Sequence, residues 1–159
     1  MLCQTLRTAV LLASLVLAVQ TFVALGWLRP VEVAGDSMAP SHADGGRLLV
    51  RRWGLPRRWD VVVLRSPNDA QQLLVKRVIG LPGEEITLRE GRVQIDGQPL
   101  GNPPEVAGVY YGAMGHPVWR LGTDEWFVVG DNQPVSIDSR NWEHAPGVPT
   151  RLIVGTVAR

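Results

Sequence analysis

The chain has 159 residues, 16 Lys plus Arg against 15 Asp plus Glu, and a single cysteine. That length suits one ordinary domain with a short extra segment. A net charge of +1, with arginines scattered among acids, gives no strong case for a nucleic-acid footprint, and a lone Cys3 excludes a disulfide framework or a thiolate metal site.

In chain order, residues 1–7 form a short tail, and "TAVLLASLVLAVQTFVALGWL" (8–28) comes next without a charge. At 1.5 Å per residue that run is long enough to cross a hydrocarbon layer of about 30 Å. Arg7 and Arg29 bracket it, and Trp27 stands where an interfacial tryptophan belongs. The small-x-small Ala24-Leu25-Gly26 is also compatible with a cleaved signal sequence, but the apolar run exceeds a signal core, so a retained transmembrane anchor is expected. Flanking charge does not set the orientation, with arginines on both sides.

After the anchor the pattern changes to short, β-branched runs cut by Gly, Pro, Asp and Asn. Strands are predicted at Val31–Ala34, Arg47–Arg51, Val61–Arg65, Leu73–Ile79, Glu85–Leu88, Arg92–Ile95, Trp126–Val129 and Leu152–Val157. Turns are predicted at Glu90-Gly91 and Asp96-Gly97. Residues 98–123, rich in Gly and Pro, read as a cap-like excursion or as a long surface loop. The pairs Arg51-Arg52 and Arg57-Arg58 bracket Trp53 and Leu55, which suits a solvated loop or a membrane-facing surface. No soluble segment shows a 3.6-residue apolar period, so residues 30–159 are expected to be a mainly β domain. His42, His116 and His144 are too scattered for a ligand cluster, and neither metal nor cofactor is expected.

Three stretches carry chemistry. In "VEVAGDSMAPS", Gly35 lets the backbone bend and Ser37 comes soon after, either as an ordinary turn serine or as one presented for attack. A trypsin-like triad fails because no histidine lies upstream. A G-x-S-x-G elbow, with His144 as base, fails because the chain lacks the alternating helices of that fold. The second stretch is "QQLLVKRVIGLPGE". Fifteen of the 16 basic residues are arginine, and the single lysine, Lys76, sits in an apolar run. On a strand, Leu74, Lys76 and Val78 share one face, and Val75, Arg77 and Ile79 the other. A desolvated lysine can lose its proton near neutrality, whereas a guanidinium cannot. The bland alternative is a lysine whose stem covers apolar surface while its head reaches water. The third stretch, "GDNQPVSIDSRNW", gathers Asp131, Ser136, Asp138, Ser139 and Arg140 directly after an apolar strand. Asp138 and Arg140 can pair, and a serine hydroxyl can orient an amine; ordinary Asx and Ser turns explain such a loop equally well.

Taken together, the anchor, "GDSMAP", "RRWDVVVLRSP", "VKRVIGLPGE", "GDNQPVSIDSRNW" and "IVGTVAR" resemble the type I signal peptidases of the short, single-anchor kind. The resemblance implies a membrane-anchored Ser/Lys endopeptidase that removes signal peptides from exported preproteins after small-x-small motifs. It implies Ser37 as nucleophile, Lys76 as general base, Ser136 as the serine that positions the lysine, Asp138 and Arg140 as a bracing pair, and Gly130 as the glycine opening that box. The oxyanion would be held by the Ser37 N–H, with Gly35 where some members carry a second hydroxyl. Val33, Ala34, Gly35, Met38 and Leu74 are expected near the substrate, which would bind as an added strand. The chain would work as a monomer in the cell membrane, single-pass, with its catalytic domain on the extracytoplasmic side, and with preproteins and the lipid bilayer as its partners. Departures from the family pattern fall at Ser41, Gly46, Gln133 and Glu143, none of them in the Ser/Lys pair. Other readings are a mitochondrial, conjugation or pilin maturation peptidase, and a tethered β module without activity. A LexA-like autoprotease would need a DNA-binding domain where this chain has a membrane span.

Overall fold

A computed structural model of the chain describes residues 2–89, 92–101, 118–142 and 146–158. The first element, α1, is a 23-residue helix, Leu2–Ala24, with an apolar stretch over Gln4–Ala24 that makes it a candidate membrane span. It stops four residues before the apolar run does. Gly26 takes φ +70°, its N–H donates to Val23 O and the Trp27 N–H to Phe22 O, both at 2.9 Å. That is a Schellman cap, in which a glycine accepts the left-handed conformation and the last helical carbonyls find donors. Trp27 and Leu28 thus leave the helix, and Leu28 opens the first strand.

The remaining elements are β1 (Leu28–Glu32), β2 (Arg47–Arg51), β3 (Val61–Arg65), β4 (Leu73–Gly80), β5 (Glu85–Arg89), β6 (Arg92–Ile95), β7 (Gln98–Pro99), β8 (Val118–Arg120), β9 (Glu125–Val129), β10 (Val148–Pro149) and β11 (Ile153–Val157). One sheet runs β1-β2-β11-β3-β4-β9-β10 and the other β7-β6-β5-β8, with antiparallel pairing throughout. The protein is mainly β, as expected.

Several boundaries differ from the expectation. The first strand ends at Glu32 rather than Ala34, because its partner β2 begins at Arg47 and the intervening chain turns through Asp44–Gly46. Val33 closes that turn with bonds to Gly46 O (2.8 Å) and from Gly45 N (2.9 Å). Leu152 belongs to a 3₁₀ turn, Thr150–Leu152, not to a strand. Thr150 there is held by Asp124 O and by the Trp126 indole N–H. The Asp96-Gly97 turn forms as predicted, with φ +49° and +77°, the positive pair of a type I′ hairpin. Glu90-Gly91, most of the 98–123 excursion, His116, Glu143 and His144 lie outside the described residues.

Strand β4 carries hydrophobic contacts on both faces. Leu74 and Val78 pack on one face with Val62, Leu64, Trp126 and Val128. Val75 packs on the other with Val33, Leu48, Val50 and Val63. Ile79 joins Ile86, Leu88, Leu121 and Phe127 between the two sheets. There the chain needs Gly80, since a Cβ would stand 2.7 Å from both Ile86 Cδ1 and Phe127 Cβ. The period-two alternation places Lys76 and Arg77, neighbours in sequence, on opposite faces.

Candidate active site

Ser37 lies in the turn after Val33. Gly35 takes φ +85°, a conformation open to glycine, and its N–H donates to Asp44 Oδ1 at 2.7 Å. Asp44 thereby ties the start of the Ser37 turn to the loop before β2. Met38 is wholly buried and anchors the turn from below. On the other side, the Asn132 N–H donates to Ser37 O at 3.0 Å, so the serine is held by its main chain while the residue stays half-buried.

Lys76 is 3% exposed and stands opposite Val62 on β3. Its Nζ donates to Ser136 Oγ at 3.1 Å. The Ser136 hydroxyl in turn donates to Asp138 Oδ2 at 2.6 Å. Asp138 also accepts from the Gly130 N–H (2.9 Å) and from Arg140 Nε (2.8 Å) and Nη2 (2.7 Å). The loop carrying these groups folds back on β9: the Ser139 N–H donates to Val128 O, its hydroxyl accepts from the Val128 N–H, and Trp142 is buried in the core. Gly130 is where the Ser37 turn and this loop meet. A Cβ there would stand 2.5 Å from Ser37 O and would overlap Ser136 Oγ.

The electrostatics rest on these contacts. Burial lowers the Lys76 pKa first of all; Asp138 pulls it upward, and Arg140 pushes it down again. Burial by itself would raise Asp138, but the bonds and charge of Arg140, with the Ser136 hydroxyl and the Gly130 amide, outweigh it and hold the carboxyl below its ordinary range. Asp138 therefore stays ionised with its charge engaged by Arg140, and the lysine is left with a hydroxyl as its partner. The arrangement yields a neutral amine at a lower pH than an exposed lysine would allow.

The signal peptidase model of peptidase family S26 matches residues 3–159. The chain belongs to the S26 signal peptidases. It is 34% identical to signal peptidase I of Leptolyngbya laminosa, over 97% of this chain and 76% of that one. It is 31% identical to signal peptidase I V of Bacillus subtilis (strain 168), over 91% of each. The crystal structure of a signal peptidase I from Enterococcus faecalis V583 superposes with a TM-score of 0.53 at 26% identity, covering 66% of this chain and 98% of that one. The activity that comes with membership is that of a serine endopeptidase acting on signal peptides.

Within this signal peptidase, Ser136, Asp138 and Arg140 gather at Lys76, and Gly130 sits beside Ser37 and Ser136. The residues expected near substrate divide. Ala34 and Gly35 are exposed and Leu74 is half-buried, whereas Val33 and Met38 are core residues with 3% and 0% exposure. Among the described residues, no three His, Cys, Asp or Glu side chains gather as metal ligands.

Sequence reasoning missed the other face of β4. Arg77 donates to Asp131 through Nε (2.8 Å) and Nη2 (2.7 Å), and to Trp59 O through Nη1 (2.8 Å). Trp59 holds a positive φ of 74° at that point. A cavity of about 340 Å³ lies against Arg77, lined in part by Ser41, His42 and Trp59. His42 has its pKa lowered by burial and by Arg77, with Asp131 opposing. The signal was present: strand alternation sends Arg77 inward, and an inward arginine requires an acid. Which acid could not be read. The Asn132 amide on Ser37 O left no trace in sequence, being a main-chain contact.

Proposed function

We propose that this signal peptidase works through a Ser37/Lys76 dyad. Neutral Lys76 takes the proton from Ser37 Oγ as that oxygen attacks the carbonyl carbon of the scissile peptide. The ammonium so formed then protonates the departing amine, leaving an acyl ester on Ser37. The amine, neutral again, takes a proton from water, whose oxygen attacks the ester and frees the serine. The Ser37 N–H faces the developing oxyanion. One observation carries the reading: the single lysine of an arginine-rich chain is buried, bonded to a hydroxyl, beside a carboxylate already claimed by Arg140.

The preprotein's mature junction binds as an added strand. On the β3 side Leu73–Arg77 are paired, while on the β9 side the pairing covers Arg77, Val78 and Gly80. Leu73–Val75 therefore keep an edge without a strand partner among the described residues, leading to Lys76. An extended peptide on that edge would bring alanine-sized side chains against Leu74 and Ala34. The helix α1 serves as a single membrane anchor, with the catalytic domain on the extracytoplasmic side and the monomer as the working unit.

The test is cleavage of a preprotein whose signal ends in Ala-x-Ala, by the full chain in liposomes, across pH 6 to 10. Wild type cuts after the second alanine with a rate that rises through one basic step. Ser37→Ala and Lys76→Arg do not cut. Full activity in Lys76→Arg would move the base elsewhere and end this reading.

A further inference from the structure

We propose that the β2–β3 turn, "RRWGLPRRW", builds a binding site for the phosphate of an anionic phospholipid, on a chain read as anchored in the bilayer through α1. The turn is fused to the end of that helix. Phe22 of the last helical turn, Trp27 just before β1 and Trp53 in the turn form a triangle of rings with centroids 6.3, 5.9 and 6.2 Å apart. The Arg52 N–H donates to Trp27 O at 2.9 Å. Trp53 therefore sits at the level where the apolar helix ends, the depth at which tryptophan marks a membrane boundary. Leu25, Trp27, Trp53 and Leu55 are all exposed to solvent in the absence of lipid.

Beside this aromatic knot, Arg51, Arg57 and Arg58 line a cavity of about 440 Å³ with Asp60 and Val157. Two of the three arginines are held in place rather than loose. Arg51 Nη1 donates to Trp53 O at 2.8 Å, and Arg58 is paired through both Nη1 and Nη2 with the Glu84 carboxylate and also donates to Ile79 O. Asp60 is buried and turned to the turn's own frame, accepting the Arg57 N–H at 2.9 Å with Arg51 Nη2 3.8 Å away. Arg57 is exposed at the rim. Arg58 is spent on Glu84, so Arg51, fixed by the fold, and Arg57 at the mouth are the guanidiniums that meet the oxygens of a phosphate. The occupant is a lipid rather than a free anion because Arg51 is bonded to the main chain of Trp53, whose exposed ring belongs to the knot at the helix end, and Leu55 of the same turn is exposed beside it in sequence.

The probe is the full chain in mixed detergent micelles with equimolar phosphatidylglycerol and phosphatidylcholine, with retained lipid counted by native mass spectrometry. Phosphatidylglycerol should be retained several-fold over phosphatidylcholine. Arg57→Gln should cut that retention by about fivefold, the share of one arginine near an anionic surface, while Arg57→Lys keeps most of it. Arg57 donates no side-chain bond that the turn depends on, so the variant's melting temperature should stay at the wild-type value. Equal retention of the two lipids, or no change in Arg57→Gln, overturns the proposal. Displacement of the lipid by an equal concentration of inorganic phosphate also overturns it, by making this a free-anion site. Failure of the anchor itself shows separately, as release of the chain from membranes by alkaline carbonate.

Discussion

Lys76 and Arg77 are adjacent on one strand and almost equally buried, at 3% and 5% exposure, yet the two faces of β4 treat them in opposite ways. Arg77 receives a carboxylate of its own, in a two-pronged pair with a fully buried Asp131 side chain. Lys76 receives a hydroxyl, and the carboxylate behind that hydroxyl is already paired with Arg140. The guanidinium of Arg77 stays charged in any setting, and its full partner makes it a structural brace; the Lys76 amine can lose its proton, and burial with the nearest acid engaged elsewhere lowers its pKa. At nearly equal depth, the difference lies in the chemistry of the two side chains and in how the acids are shared out.

The contrast can be broken most severely at Lys76. Lys76→Arg keeps a basic side chain at the position but removes the ability to deprotonate. Cleavage of a preprotein should fall by roughly 10²–10⁴, the span of a general base; a fall of less than tenfold would say that proton transfer does not depend on this side chain. On the opposite face, Asp131→Asn takes from the buried Arg77 the carboxylate of its two-pronged pair. Urea unfolding of the full chain in detergent should show a loss of about 3–5 kcal/mol. The double change Arg77→Met with Asp131→Leu should recover most of it, since apolar residues of similar size replace a buried pair at little cost. A double variant as weak as the single one would mean that the pair contributes more than mutual neutralisation.

Gly130→Ala is the next step down. The added methyl meets Ser37 O and Ser136 Oγ, so one of the two loops must shift, at roughly 1–3 kcal/mol of stability. The loss in kcat should exceed what the stability change accounts for, and an unaltered kcat would separate this glycine from the reacting groups. The smallest effects are in pH dependence. Lys76 has a folded pKa below its unfolded value, so the unfolded chain binds the extra proton between the two. Stability should rise as pH climbs through that window, from the lowered value toward 10.5, and the rise should vanish in Lys76→Met. Arg140→Gln removes a charge that pushes Lys76 down and frees Asp138 to pull it up. The basic step in the pH–rate profile should then move to higher pH; a step that stays in place would exclude Arg140 from tuning the amine.

What could be read from residues alone was whatever depends on neighbours in sequence. The apolar run of α1, the period-two alternation of β4, the type I′ turn at Asp96-Gly97 and the Asp138–Arg140 pairing are all local, set by backbone geometry over a few residues. The oddity of one lysine among fifteen arginines was legible too, because composition needs no fold. The helix stop at Gly26 was partly legible, since glycine ends helices, but the apolar count ran on past it to Leu28.

The rest was decided by register. Alternation sends Arg77 inward, but the β4–β9 pairing, Arg77 against Val129, is what delivers Asp131 to it from 54 residues away. The same pairing stops short of Lys76, which opens the edge of β4 and lets the loop after Gly130 fold back with Ser136 over the amine. The ring triangle that welds the β2–β3 turn to the helix likewise joins residues whose separation along the chain says nothing of their contact. By itself the sequence placed a lone lysine in an apolar run and a serine after a glycine turn, in a β framework behind an apolar helix. The tertiary structure alone decided which acid each buried cation meets, because charge pairing across a sheet is fixed by strand order and register, and neither is written in any one stretch.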